Sequence, residues 1–297
     1  MSVQHLGGQC GIGGIMRLRF HCDKFVLQIS GLLLLFIFLL ESGAKAAPAS
    51  TKASTSRRTR EQSIREIPYK HLTPEARNRI SAVVNRPSMF RRMPLSEIEC
   101  DQEMYRLMIR KPEIVVNVWQ LMGITKVTAK RIAPYLLDTS DGIGTSSKVE
   151  LVYGTNDTHL FYCDGNYNGP LFRKPLKGKC VLLLKNHYHE RNGKKLVSSR
   201  LDVFLQLDHF GADALTKTLH PLVGKSADVN FTETMKFLQR MSRTAAKNGP
   251  GMKTLAGRLT QVDAATRDDL GKIASRVFQE NRARLSKAKK IAAAKKR

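Results

Sequence analysis

The clearest pattern in the chain lies between residues 196 and 208. There Val197, Leu201, Val203, Leu205 and Leu207 alternate with Arg200, Asp202, Phe204, Gln206 and Asp208. A period of two puts each set on its own face of a strand. The same alternation begins after Gly123 with Val127, Ala129 and Ile132. It recurs in Val149, Leu151 and Tyr153, set against Lys148 and Glu150. Turn residues 154–157 follow, and Leu160 and Tyr162 resume the alternation, which predicts a hairpin. Residues 164–166 and 168–170 read as a punctuated loop, 180–184 form a continuous apolar run, and Arg191-Asn192-Gly193 turns the chain again. Turns this short join antiparallel strands, because parallel strands need long crossovers.

Helical periods flank this block. Thr73 caps a helix with Pro74 in its first turn, Ile80, Val83 and Val84 form its apolar face, and Arg86-Pro87 ends it. A second helical stretch spans about 100–122, with Tyr105, Met108, Ile109, Ile114, Val118 and Trp119 as contacts and a break near Lys111-Pro112. Asn230-Phe231-Thr232-Glu233 reads as a capping box that opens a long helix, and Phe231, Met235, Leu238 and Met241 line one face of it. Residues 248–251 stop that helix, and a last one starts after Asp263.

The chain therefore reads as α+β. A curved antiparallel sheet of about six strands packs against a long C-terminal helix, with N-terminal helices before it and a basic helical tail after it. The order resembles the START-like, or helix-grip, fold over roughly residues 98–247. That resemblance implies a sheet wrapped around the helix, with an apolar cavity between them. Segments 222–231 and 119–127 also resemble an uncharacterised family of exported planctomycete-type bacterial proteins. This second resemblance implies export and no activity.

The ends change the picture. Residues 25–40 carry no charge, Arg17, Arg19 and Lys24 precede them, and Ala44-Lys45-Ala46 follows. This is the pattern of a secretory leader, residues 1–46, in a length range that overlaps a transmembrane anchor. Met16 is an alternative start to Met1. Residues 47–66 read as a flexible linker, 67–248 as the α+β domain and 249–297 as the helical basic tail. Export to the periplasm, free or tethered to the membrane, is the expected location. Export also permits a Cys163–Cys180 disulfide between neighbouring strands, although three small buried thiols, Cys100 included, are the simpler reading.

The formal net charge of +25 favours anionic partners. Eight of residues 281–297 are Lys or Arg and none is acidic. Lys287, Lys289, Lys290, Lys295, Lys296 and Arg297 are the candidate anion-binding tail, for an anionic membrane surface or a wall polymer. Nucleic acid is less favoured, because no aromatic residues interleave with these charges for base stacking.

Motifs that would name a reaction are missing. Gly-x-Ser-x-Gly, His-Glu-x-x-His and Cys-x-x-Cys do not occur. His187 and His189 share a strand face, with His159 nearby, but two imidazoles lack the third ligand a metal needs, so no metal and no cofactor is expected. Ser198, Ser199, Asp202 and His209 suggest a triad on paper only. The leading expectation is a non-enzymatic binding module that holds an apolar or lipid-like ligand between sheet and helix. Trp119, Tyr153, Tyr162, Phe204 and Phe231 are the apolar candidates for its cavity, and Arg200 and Asp202 are a charge pair for a polar head. The alternatives are an envelope protein docking through its basic surface, and an enzyme using Arg200, Asp202 and the histidines.

Overall fold

The structure is a computed structural model, and it describes residues 52–169, 175–208 and 220–294. Eight strands form one antiparallel sheet: β1 (Met89–Arg92), β2 (Ser96–Glu99), β3 (Thr128–Ala133), β4 (Leu136–Ser140), β5 (Thr145–Gly154), β6 (Thr158–Tyr167), β7 (Leu176–Arg191) and β8 (Lys194–Leu207). Their order is β1-β8-β7-β6-β5-β4-β3, and β2 also pairs with β8. The expectation of about six strands is corrected to eight. The extra pair, β1 and β2, consists of four-residue strands, too short to display a period, and their partner is far along the chain.

Seven helices are described: α1 (Arg57–Arg65), α2 (Pro74–Asn85), α3 (Gln102–Arg110), α4 (Glu113–Leu121), α5 (His220–Lys247), α6 (Gly249–Gly257) and α7 (Ala264–Ala294). Most helix ends follow the local chemistry. The Thr73 side chain accepts from the Ala76 N–H at 3.2 Å, and Asn248 Oδ1 accepts from Gly251 N–H at 2.9 Å. Asp263 Oδ1 accepts from Thr266 N–H at 2.8 Å and opens α7. The β7–β8 turn has Asn192 at φ 55° and Gly193 at φ 69°, the left-handed pair that a two-residue hairpin needs.

Helices cover both faces of the sheet. On the inner face, α3, α4, α5, α6 and α7 bury a large cluster that includes Met104, Met108, Trp119, Phe161, Phe231 and Met235. On the outer face, α2 lays Ile80, Val83 and Val84 against Phe90, Leu160, Tyr162, Val181, Leu183 and Phe204. Two covered faces explain the apolar run at 180–184. Cys180, Leu182 and Leu184 point inward, whereas Val181 and Leu183 point outward.

Four expectations are corrected. Residues 57–65, read as flexible linker, form α1, which Ser56 caps by accepting from Thr59 N–H at 3.2 Å. An almost wholly polar helix shows no apolar period, and α1 is held instead by polar bonds to the sheet. The capping box at residues 230–233 does not open a helix. α5 starts by His220, and Asn230 sits buried within it because Ala227 continues the apolar stripe upstream. Residues 164–166 are not a loop, since β6 runs through them; a Cβ on Gly165 would lie 2.9 Å from the Ser146 carbonyl oxygen, so glycine there permits close strand approach. The transmembrane reading is also corrected, because no helix among the described residues is long and apolar enough to cross a membrane. The segment at 25–40 that suggested it lies outside the described residues, as does the leader.

Candidate functional site

Along β6, β7 and β8 the inner face of the sheet is apolar except at one end. β7 points Cys180, Leu182 and Leu184 inward and then Asn186; β8 points Leu205, Val203 and Leu201 inward and then Ser199; β6 points Cys163 and Phe161 inward and then His159. On β7 and β8 the change from apolar to polar falls at one level, where Asn186 pairs with Ser199; on β6 it falls one inward step earlier, where His159 pairs with Leu184.

Helix α3 roofs this polar belt. Asp101 starts α3 by accepting from the Glu103 and Met104 N–H groups, each at 3.1 Å. Helical spacing then sends Met104, Tyr105, Met108 and Ile109 onto the sheet, with Arg106 and Arg110 on the flank. The Tyr105 and Ser199 hydroxyls reach Asn186 Oδ1 at 2.7 and 3.0 Å and lie 2.8 Å from each other. Arg110 donates through Nε to His159 Nε2 at 3.2 Å and through Nη2 to the Thr155 carbonyl at 2.9 Å. Arg106 donates to Asn156 Oδ1 and the Tyr188 hydroxyl to the Asn156 carbonyl, each at 2.9 Å. Two donors of the belt have no partner: His159 Nδ1, with His159 itself 0% exposed, and Asn186 Nδ2. A third buried donor without a partner, Trp119 Nε1, sits in the same inner layer.

Burial, reinforced by Arg110 and Arg106, lowers the His159 pKa from 6.5 to about 4, against a smaller opposing pull from Asp157. Burial also pushes the Tyr105 hydroxyl up, and the Tyr188 hydroxyl to about 12. His159 is therefore neutral near pH 7. Because Nε2 accepts from Arg110, the proton resides on Nδ1. The unfolded chain takes up a proton at His159 before the folded one does, so stability is full above about pH 6.5 and falls as pH drops from there towards 4. The loss amounts to roughly 3 kcal/mol. Urea midpoints for wild type and His159→Gln at pH 7 and pH 4.5 should converge as pH falls; parallel curves would mean that His159 carries no such linkage.

The expected cavity residues do not come together, because the sheet separates them. Trp119 and Phe231 lie on the inner face, with Trp119 edge-on to Phe237 at 5.3 Å. Tyr162 and Phe204 lie on the outer face, Phe204 against Phe90 at 4.9 Å and Tyr162 beneath Arg79 at 4.9 Å. Tyr153 joins the outer side, stacked on His71 at 5.7 Å. A bulge between Leu151 and Tyr153 breaks the parity that would have kept Tyr153 with Val149.

Arg200 and Asp202 also face outward, and their environment is a clasp under α1. Asp202 is 0% exposed. Its two oxygens take the Arg92 fork, Nε at 2.6 Å and Nη2 at 2.9 Å, and Ser63 Oγ donates to Oδ2 at 2.7 Å. Arg200 Nε lies 3.7 Å from Asp202, and its Nη2 pairs with Glu66. Of the paper triad, Ser198 donates to Glu97 at 3.2 Å, Ser199 faces the opposite side of the sheet, and His209 lies outside the described residues. His187 and His189 stack at 5.4 Å, His189 pairs with Glu97, and no cluster of three or more metal-ligating acidic, His or Cys side chains occurs among the described residues. Cys163 and Cys180 stand directly opposite each other as free, buried thiols; their mutual hydrogen bond and burial raise the Cys180 pKa.

Lys287, Lys289 and Lys290 are exposed on the last turns of α7, whereas Lys295, Lys296 and Arg297 lie outside the described residues. The body of α7 is anchored. Arg276 bonds Asp101 and Glu280 at 2.6 Å, Lys195 bonds Glu280 at 2.9 Å, and Asn281 Nδ2 donates to the Ala246 carbonyl at 2.9 Å. Beyond residue 281 every described residue is exposed; Arg284 still donates to the Gly193 carbonyl at 2.8 Å, and residues 285–294 project past it for roughly 15 Å.

No family model and no curated protein matches this chain. Solved structures similar to it include a conserved protein from Geobacillus kaustophilus, with TM-score 0.34 and 9% identity, covering 48% of this chain and 92% of that one. Another is an uncharacterised protein from Rhizobium leguminosarum, with TM-score 0.28 and 11% identity, covering 48% of this chain and 94% of that one. Likenesses this weak carry no argument. The fold itself defines the class of protein: an α+β domain with an open antiparallel sheet and a long C-terminal helix.

Proposed function

We propose that the domain is a non-enzymatic binding module of the helix-grip, or START-like, type, which holds an apolar ligand between the inner face of its sheet and α5. The order of elements supports this reading: short strands, two helices, six antiparallel strands and a long helix, with the first strands closing onto the last. One observation carries the ligand. Every buried methionine among the described residues lies in the inner cluster, Met104, Met108, Met235 and Met241 included, and none lies in the outer one. Methionine is unbranched and polarisable, so a layer rich in it repacks around an apolar guest where branched side chains resist. The outer layer, built from valine, leucine, isoleucine and aromatic residues, has no such give.

Native mass spectrometry of the purified protein tests this reading. The expected result is an adduct of an apolar molecule that leaves on denaturation. An unliganded mass, together with no change in the fluorescence of Trp119, the chain's single tryptophan, across a panel of apolar probes, would overturn it.

A second reading, docking on a polyanionic surface, is favoured by the free end of α7, whose basic residues have no acidic neighbour between 281 and 294. Retention on a phosphate-bearing matrix should reverse with salt and disappear when residues 282–297 are deleted. Retention that survives the deletion would place the binding surface elsewhere.

A further inference from the structure

The polar belt beneath α3 is more than an interruption of an apolar face. Its unpartnered donors lie on adjacent strands, one inward step apart. A Cβ on Gly154, the β5 residue paired with His159, would lie 3.6 Å from His159 Cδ2, so the Cδ2 edge of the ring is turned towards β5. Nδ1 is on the other side of Cγ and is therefore turned towards β7. On β7 the residue paired with His159 is Leu184, and the next inward residue is Asn186. The Asn186 amide is oriented by the Tyr105 and Ser199 hydroxyls, both of which occupy its oxygen, and this leaves its NH2 group free.

The belt thus presents two buried N–H donors, and the formal charges that act on His159 are the guanidinium groups of Arg110 and Arg106, with the Asp157 carboxylate a weaker opposing one. Burying a donor without an acceptor is costly, and an acceptor placed between two of them relieves both. Donors alone, in a positive field, select an oxygen that accepts without bringing a hydrogen of its own. A hydroxyl head brings a hydrogen that these donors cannot receive. A carboxylate brings none, and its charge is matched by the two arginines. Apolar surface continues from the belt: Leu184 and Leu201 are paired on the floor, and Met104 and Met108 form the roof.

We propose that this belt is the head-group site of the module and takes the carboxylate of an elongated apolar ligand, held by His159 Nδ1–H and the Asn186 amide. The proposal rests on the binding-module reading above and adds the class of its ligand. It predicts that a bound carboxylate stabilises the protonated form of His159 and so raises its titration above about 4.

Calorimetric titration of the full chain with dodecanoate and with dodecanol separates the two levels. The expected result is that dodecanoate binds about tenfold more tightly or better, and that Asn186→Asp, which sets a like charge against the head, abolishes that preference. If Asn186→Asp does not fold, Arg110→Gln and the NMR titration of His159 in the wild type with and without dodecanoate give the same answer. Equal affinity for acid and alcohol would overturn the head-group site and leave the module standing, with the two donors meeting ordered water only. Failure of both to bind would overturn the module reading together with this one.

Discussion

Asp202→Ala is expected to destabilise the domain by about 3–5 kcal/mol, the usual cost of removing one partner from a buried ion pair. Asp202 is fully buried and meets the Arg92 fork on both oxygens, with Ser63 adding a third bond. Deletion leaves Arg92, only 15% exposed, with Gln62 and Ser63 as neutral partners. The measurement is the shift in urea midpoint at unchanged slope. Replacing Arg92 and Asp202 together by Met and Leu should recover much of the loss, since well-packed apolar groups often substitute for a buried pair without penalty. Arg57→Ala, which removes an exposed pair with Glu61, should leave the urea midpoint essentially unchanged. A loss below about 1 kcal/mol for Asp202→Ala would mean that the clasp adds little beyond its individual hydrogen bonds.

Phe204→Ala is the second large effect, at about 3–5 kcal/mol. Phe204 is 0% exposed at the centre of the outer cluster, against Phe90 and near the apolar face of α2. The cavity opens between the sheet and the segment that carries α1 and α2. The loss should therefore appear locally as well as globally, with protease cleavage within residues 52–85 rising before the inner layer is exposed. Phe231→Ala, an equally buried ring on the other face, should cost a similar amount without that local signature. If both variants show the same cleavage pattern, the two layers unfold as one unit.

Much of the sheet was readable from alternation. The strand at 194–207, the hairpin across 154–157, the break at Pro112 and the starts of α2 and α7 all follow from local chemistry that the fold leaves intact. What escaped was set by distant partners. β1 and β2 are strands because β8 offers them an edge, not because Met89–Arg92 or Ser96–Glu99 announce a period. α1 is helical with little apolar surface because Asp202 and Arg92 hold it. The face of a residue was readable only where parity was unbroken, and the bulge before Tyr153 moved that ring to the opposite layer. The polar belt had a signal of its own. Continuing the alternation from Cys180 through Leu184 reaches Asn186 on the same face. Seeing that Asn186, Ser199 and His159 fall at one end of the inner face required the strand register, which turn residues alone do not fix.

The position of β8 has a consequence for how the chain reaches its native state. The last strand made is the one that receives the first two, and the clasp residues Arg92 and Asp202 stand 110 residues apart. During synthesis β1 and β2 have no edge to join until β8 has appeared and paired with β7. Contacts this remote slow the search and keep the early segment unpaired for longer. Met89–Glu99 is therefore a strand-forming stretch with a long wait, and the two arginines of β1 and the two glutamates of β2 keep it charged through that interval.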